Sequence, residues 1–172
     1  SQPNIEELRN RAQQFGLDNS DSRSKDVVAI SVQDTRPFHP QRLYDAFQNH
    51  LGTGVYRTKG LLWLCTRPDD VIFWHQSGSQ VGFELLNTWS DILQKKSDRS
   101  LGGTLGRIPN RLEREPSIFT NRGNKLTVIG LPNQCVVFAR ALRGALCTDA
   151  ELDALKRGTV FTDPWPKTRR YV

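Results

Sequence analysis

The chain has 172 residues, with 24 lysines and arginines against 18 aspartates and glutamates and a formal charge of +6. That length suits one domain with its own core; the mild basicity fits an acidic protein surface or a nucleic acid, and no apolar run approaches the roughly 18 residues that a membrane span requires. The opening SQPNIEELRN lacks the basic-then-apolar layout of a signal peptide, and three cysteines without a CxxC read as reduced, buried thiols, so a cytoplasmic setting is expected.

In chain order, Ile5, Leu8, Ala12 and Phe15 recur at helical spacing up to Gly16. The polar LDNSDSRSKD that follows reads as a linker, so residues 1–24 form an N-terminal helix and linker ahead of a main domain over 25–166, with a basic tail at 167–172. VVAISVQD, Val27 to Asp34, predicts a first strand. Pro37 and Pro40 push their preceding residues toward extended geometry, and Pro40 suits the first position of a helix. From there Leu43, Phe47 and Leu51 form an apolar stripe beside Tyr44, until Gly52 and Gly54 stop it. VYRTKGLLWLCT reads as a strand covered on both faces. RPDD is a turn, and VIFWHQSGSQVGFELL a second strand with a Gly-Ser kink or turn in its middle.

Trp89 to Leu93 is expected to form one helical turn capped by Ser90. Residues 94–123 then carry seven cations, among them Lys95, Lys96 and Arg111, against Asp98, Glu113 and Glu115. Such a long connection is a mobile, solvated loop or a docking surface for an acidic partner or a phosphate backbone. KLTVIG predicts a short strand. In NQCVVFARALRGAL the pairs Val137–Phe138, Ala141–Leu142 and Ala145–Leu146 predict a helix facing the core. Thr148 and Glu151 form a capping box that opens a last helix, which closes with Lys156, Arg157 and Gly158. The tail should be extended, with Phe161 and Trp165 packed back on the domain. The expected fold is α+β: a mainly antiparallel sheet of about four strands with two or three helices on one face, loosely ferredoxin-like.

The chemistry that is missing excludes more than the chemistry present. A phosphate-binding loop needs G-x-x-x-x-G-K-[ST], and the one Gly-rich run, LGGTLGRIPN, lacks the Lys-Ser/Thr pair. No G-x-S-x-G occurs, and no cysteine has an evident histidine partner. His39, His50 and His75 form no H-x-x-x-H pair. His39 should organise the helix entry, and His50 should sit partly charged at a helix C-terminus. His75 should share a strand face with Phe73 and Val71. A meeting of His39, Cys65 and His75 across the sheet is the metal arrangement worth checking. Strand alternation also puts Arg57, Lys59, Leu61 and Trp63 on one face, as a base-stacking sheet would require. The plainer reading makes Leu61 and Trp63 core and the basic pair its rim, since RNP-like residues are absent.

The string RPFHPQRLYDAF, followed by VYRTKGLLWLCTRPD and then WHQSGSQVGFE, resembles the C-terminal domain of the CobW family. The likeness continues in KLTVIG, ALRGALCTDAEL and the terminal DPWP, and so runs from about Val27 to Pro166. That family comprises P-loop GTPases linked to metal handling and cobalamin synthesis, including zinc metallochaperones and nitrile hydratase activators. The resemblance implies a non-catalytic domain without a cofactor of its own. Its implied partners are a CobW-type GTPase domain, in cis or in trans, and a client metalloprotein receiving zinc or cobalt. The linker that is often histidine-rich in relatives contains no histidine here. Partner contacts are expected at Arg36, His39, Arg57, Lys59, Arg67 and His75, together with the basic loop. The competing expectations are a nucleic-acid-binding module that uses the basic, aromatic sheet face, and a small metal-buffering protein relying on His39 or His75.

Overall fold

A computed structural model describes residues 5–16, 26–88, 122–167 and 170–171. Its alternating segments pair into one antiparallel sheet of β1 (Val28–Asp34), β2 (Val55–Leu62), β3 (Asp70–Ser77), β4 (Gln80–Thr88), β5 (Asn124–Gly130) and β6 (Arg170–Tyr171), in the order β1-β5-β2-β3-β4-β6. The helices are α1 (Ile5–Gly16), α2 (Pro40–His50), α3 (Pro132–Gly144) and α4 (Asp149–Lys156). The α+β class and the helices on one face stand as expected. Two features raise the strand number above four. Gly78, at φ 55°, makes a tight turn that splits VIFWHQSGSQVGFELL into β3 and β4, and the two-residue β6 pairs with β4. The expected turn at Trp89–Leu93 and nearly all of the basic segment lie outside the described residues.

Strands β1 and β2, joined through α2, are both antiparallel to β5 and so run parallel to each other. This is the split β-α-β unit of a ferredoxin-like fold, but the inserted strand is β5, from late in the chain.

One row of paired residues crosses five strands beneath the helices: Val32, Leu126, Gly60, Trp74 and Phe83. Gly60 is the gap in that row. A Cβ there would lie 1.9 Å from the Lys125 carbonyl oxygen, so only glycine lets β2 approach β5 this closely. Above the row, Phe47 of α2 lies tilted on Trp74 with ring centroids 4.6 Å apart, and Phe138 of α3 and Trp165 of the tail meet Phe47 edge-on. Trp165 is fully buried and donates its indole N–H to the Pro40 carbonyl, as the expected return of the tail requires. Phe161 packs on His39. Ile5, Leu8 and Ala12 of α1 are buried in the same core, and burial of Ile5 and Leu8 stabilises the fold by roughly 1.5–3 kcal/mol each.

The helical phase of α3 differs from the expectation. Its core stripe is Cys135, Phe138, Ala139 and Leu142, while Val136 and Val137 are 47% and 49% exposed. Helix α3 presses on β1 and α2 through the stripe that starts at Cys135, and positions one and two residues later rotate outward. No described helix is long and apolar enough to cross a membrane.

Candidate functional site

The RPFHP segment is held from both sides. Phe38 N–H donates to the Trp63 carbonyl, Cys65 N–H to the Phe38 carbonyl, Cys147 N–H to the Pro37 carbonyl, and His39 N–H to the Ala145 carbonyl, at 2.7–3.0 Å. Arg36 reaches over this seam to the Cys147 carbonyl at 3.0 Å and the Asp149 carboxylate at 2.6 Å. Nδ1 of His39 accepts from the Arg42 N–H and caps α2. Burial, and next the Arg42 charge, depress the His39 pKa, which favours the neutral ring that such a cap needs. Arg42 grips both carboxylate oxygens of Glu151, whose other role is the capping box with Thr148. That hydrogen bond to Arg42 is the chief reason the Glu151 pKa falls to about 2.

Arg67 forms a second clasp. Its guanidinium lies 2.8 and 2.9 Å from the two Asp163 oxygens and donates to the carbonyls of Trp165 and Pro166. Arg36, His39 and Arg67 therefore serve, first of all, to fasten the RPFHP turn and the tail to the sheet.

The three cysteines are free and buried. The Cys147 thiol donates to the Cys65 sulfur, and that bond, with burial, pushes its pKa up. Burial and the nearby Arg11 depress the pKa of His50, which stacks on Phe138, so the ring is biased toward its neutral form and away from the partial charge expected at the helix terminus. His39, Cys65 and His75 do not converge, and among the described residues no group of three or more His, Cys, Asp or Glu side chains could hold a metal ion.

The other face of the sheet is different. Among the described residues no helix packs on it, and the second row of paired residues runs across it: Ser31, Thr127, Lys59, His75 and Gly82. Flanking rows add Arg57 on one side and Leu61, Phe73 and Glu84 on the other. Leu61 and Val71 are buried in a small satellite cluster with Trp63, Phe73 and Leu86. Among the described residues, covering is thus limited to the Leu61 end, and they do not cover β2 on both faces. Lys59 extends its ammonium over the Phe73 ring, 5.6 Å from the centroid. The His75 ring lies across Gly82, where a Cβ would sit 2.0 Å from Nε2, and comes 3.9 Å from a Glu84 oxygen. Arg57 is exposed at the rim. Of the six residues expected at a partner surface, Arg57, Lys59 and His75 are brought together here, and Lys59 and His75 are direct cross-strand neighbours.

Two polar groups central to this layout gave no sequence signal. Asn124, buried at the start of β5, accepts from Trp63 N–H and donates to the Arg36 carbonyl, tying β5 to both flanks of RPFHP. On the helix-covered face, Trp74 Nε1 donates to Thr58, and Thr58 donates to Gln76.

The model of the cobalamin synthesis protein CobW C-terminal domain matches residues 27–146 of this chain. A zinc chaperone of Mycobacterium tuberculosis is 29% identical over 146 residues, covering 81% of this chain and 34% of that protein. A Mycobacterium bovis protein matches to the same extent. Among solved structures, the Zn(II)-bound YjiA GTPase of E. coli aligns with a TM-score of 0.48 at 16% identity, over 71% of this chain and 30% of that one. A Zn(II)-bound triple mutant of YjiA aligns at 0.49 and 14% over the same shares. The chain thus spans about a third of the length of the curated relatives it matches.

Proposed function

This chain belongs to the family of cobalamin synthesis protein CobW C-terminal domains, and on that premise we propose that it is a non-catalytic recognition domain for metal delivery. It works beside a CobW-type GTPase domain, in cis or in trans, and recognises that domain or a client metalloprotein receiving zinc or cobalt. The zinc chaperone among its relatives supports the metal-delivery half of this reading. The observation that carries the recognition half is the sheet face on which no described helix packs, with Arg57, Lys59 and His75 gathered on it. On a strand face these groups hold fixed spacings set by the pleat, and their charge complements an acidic surface. Arg36, His39 and Arg67 support the face by fixing the RPFHP turn and the tail.

The test is a binding titration of the chain against the GTPase domain of a family relative and against a client apoprotein. The double variant Arg57→Glu, Lys59→Glu is expected to weaken binding by about tenfold or more, as removal of complementary interface charge does, with the melting temperature unchanged. Unchanged affinity for every partner tried would sink the reading. The nucleic-acid alternative has less support, because the Phe73 face a base would stack on is taken by Lys59. Single-stranded RNA is expected to show no saturable binding; an affinity falling steeply with salt would reinstate that alternative.

A further inference from the structure

Strand β1 is an edge of the sheet: among the described residues it pairs with β5 alone. Natural edges are commonly defended by lysine, proline, a bulge or shortness. VAISVQD has none of these: it is seven residues long, keeps an unbroken register with β5, and its one charged residue is the terminal Asp34. The apolar side chains of this strand are also incompletely covered. Val28 and Ile30 are only partly buried, although their β5 partners lie in the same helix-covered layer, and Val27 is 54% exposed. Helix α3, which packs over β1, turns Val136 and Val137 outward.

We infer that β1 is a docking edge that accepts an extended, acidic-and-apolar segment of another protein as an additional strand. Main-chain hydrogen bonding along the edge supplies the affinity in such an arrangement, and alternate side chains supply the choice. Helix α3 contains no acidic residue and exposes Arg140 and Arg143 in the turns after the valines. An incoming strand would carry both its valine-like residues, against Val136, Val137 and Ile30, and its carboxylates, against the arginines, on the one face turned to α3. A second copy of this chain fits poorly. Two-fold pairing of β1 with itself would bring two all-basic α3 helices together and join two bodies of charge +6 each. This edge is distinct from the face that carries Arg57, Lys59 and His75, and the inference stands without it.

The test uses the 172-residue chain and a synthetic peptide of about eight residues, a long strand, whose alternate positions facing α3 carry valine and then glutamate, with threonine between them. Hydrogen exchange followed by NMR is expected to show the outward amides of β1 gaining at least about tenfold protection on titration. Arg140→Glu with Arg143→Glu, both on the exposed side of α3, should weaken the peptide about tenfold, and the lysine-for-glutamate peptide should lose affinity likewise. Arg57→Glu with Lys59→Glu should leave this peptide's affinity unchanged. Three results would overturn the inference: no β1 protection at millimolar peptide, equal binding of the lysine peptide, or β1 amides protected without peptide in a species of twice the monomer mass.

Discussion

Removing the Arg67 side chain should cost this fold far more than removing Arg36, although both arginines pair with an aspartate. Arg67 and Asp163 are each 10% exposed, and the guanidinium also satisfies the carbonyls of Trp165 and Pro166. Arg67→Ala leaves the Asp163 charge out of water with only Thr66 Oγ1, at 2.7 Å, and Trp165 N–H, at 3.0 Å, still donating to it. Breaking a buried pair from one side costs about 3–5 kcal/mol, and the two surviving donors set the expectation near the lower bound, about 3 kcal/mol. Arg36 and Asp149 are 43% and 82% exposed, so Arg36→Ala should cost less than about 1 kcal/mol. In urea, with a slope of about 2 kcal/mol/M, these become midpoint shifts of about 1.5 M and less than about 0.5 M. Tryptophan emission reports the transition, since Trp74 and Trp165 are fully buried. The double variant Arg67→Ala, Asp163→Ala should fall short of the sum of its singles by at least about 1 kcal/mol. Equal midpoint shifts for Arg67→Ala and Arg36→Ala, or strict additivity at the buried pair, would refute this account of the clasp.

Two further outcomes test other joints of the fold. Glu151 titrates near 2 in the folded chain against an ordinary 4.5, so its contribution is fully present above pH 4.5 and is lost as pH falls from there toward 2. Discounted for the partial exposure of the Arg42–Glu151 pair, this loss should be about 1–2 kcal/mol, and Glu151→Gln, followed by urea melts across that range, should abolish it. Gly60→Ala forces a Cβ to within 1.9 Å of the Lys125 carbonyl oxygen and 2.8 Å of Leu126 Cα, both backbone atoms that cannot swing away. The melting temperature should fall by about 10 °C, from a cost of about 3 kcal/mol or more. Gly144→Ala, where an added Cβ meets nothing within 4 Å, should be neutral or slightly stabilising.

What the amino-acid sequence determined by itself is everything written in neighbouring residues. Pro40 and the Leu43–Phe47–Leu51 stripe specify α2, Thr148 with Glu151 specifies the start of α4, and the strand alternation already paired Arg57 with Lys59 on one face. These are contacts within a helical turn or a pleat, and their geometry does not depend on the rest of the chain. The family likeness in RPFHP and RTKGLLWL was equally legible. The face on which α3 turns was not, because NQCVVFARALRGAL offers two overlapping apolar stripes, and the position of β1 and α2 selects the one through Cys135.

Only the tertiary structure decided which of the six polar candidates are tied to distant parts of the chain and which gather on the sheet face. Arg36, His39 and Arg67 meet partners such as Cys147, Asp149, Phe161 and Asp163, about a hundred residues away in the chain, and no local pattern encodes so distant a meeting. Insertion of β5 between β1 and β2 likewise decides that Lys59 lies between Thr127 and His75 on a face with no described helix. Long-range pairing follows from burying the row beneath the helices. The opposite row is left for contact because the pleat turns every second residue away from that core.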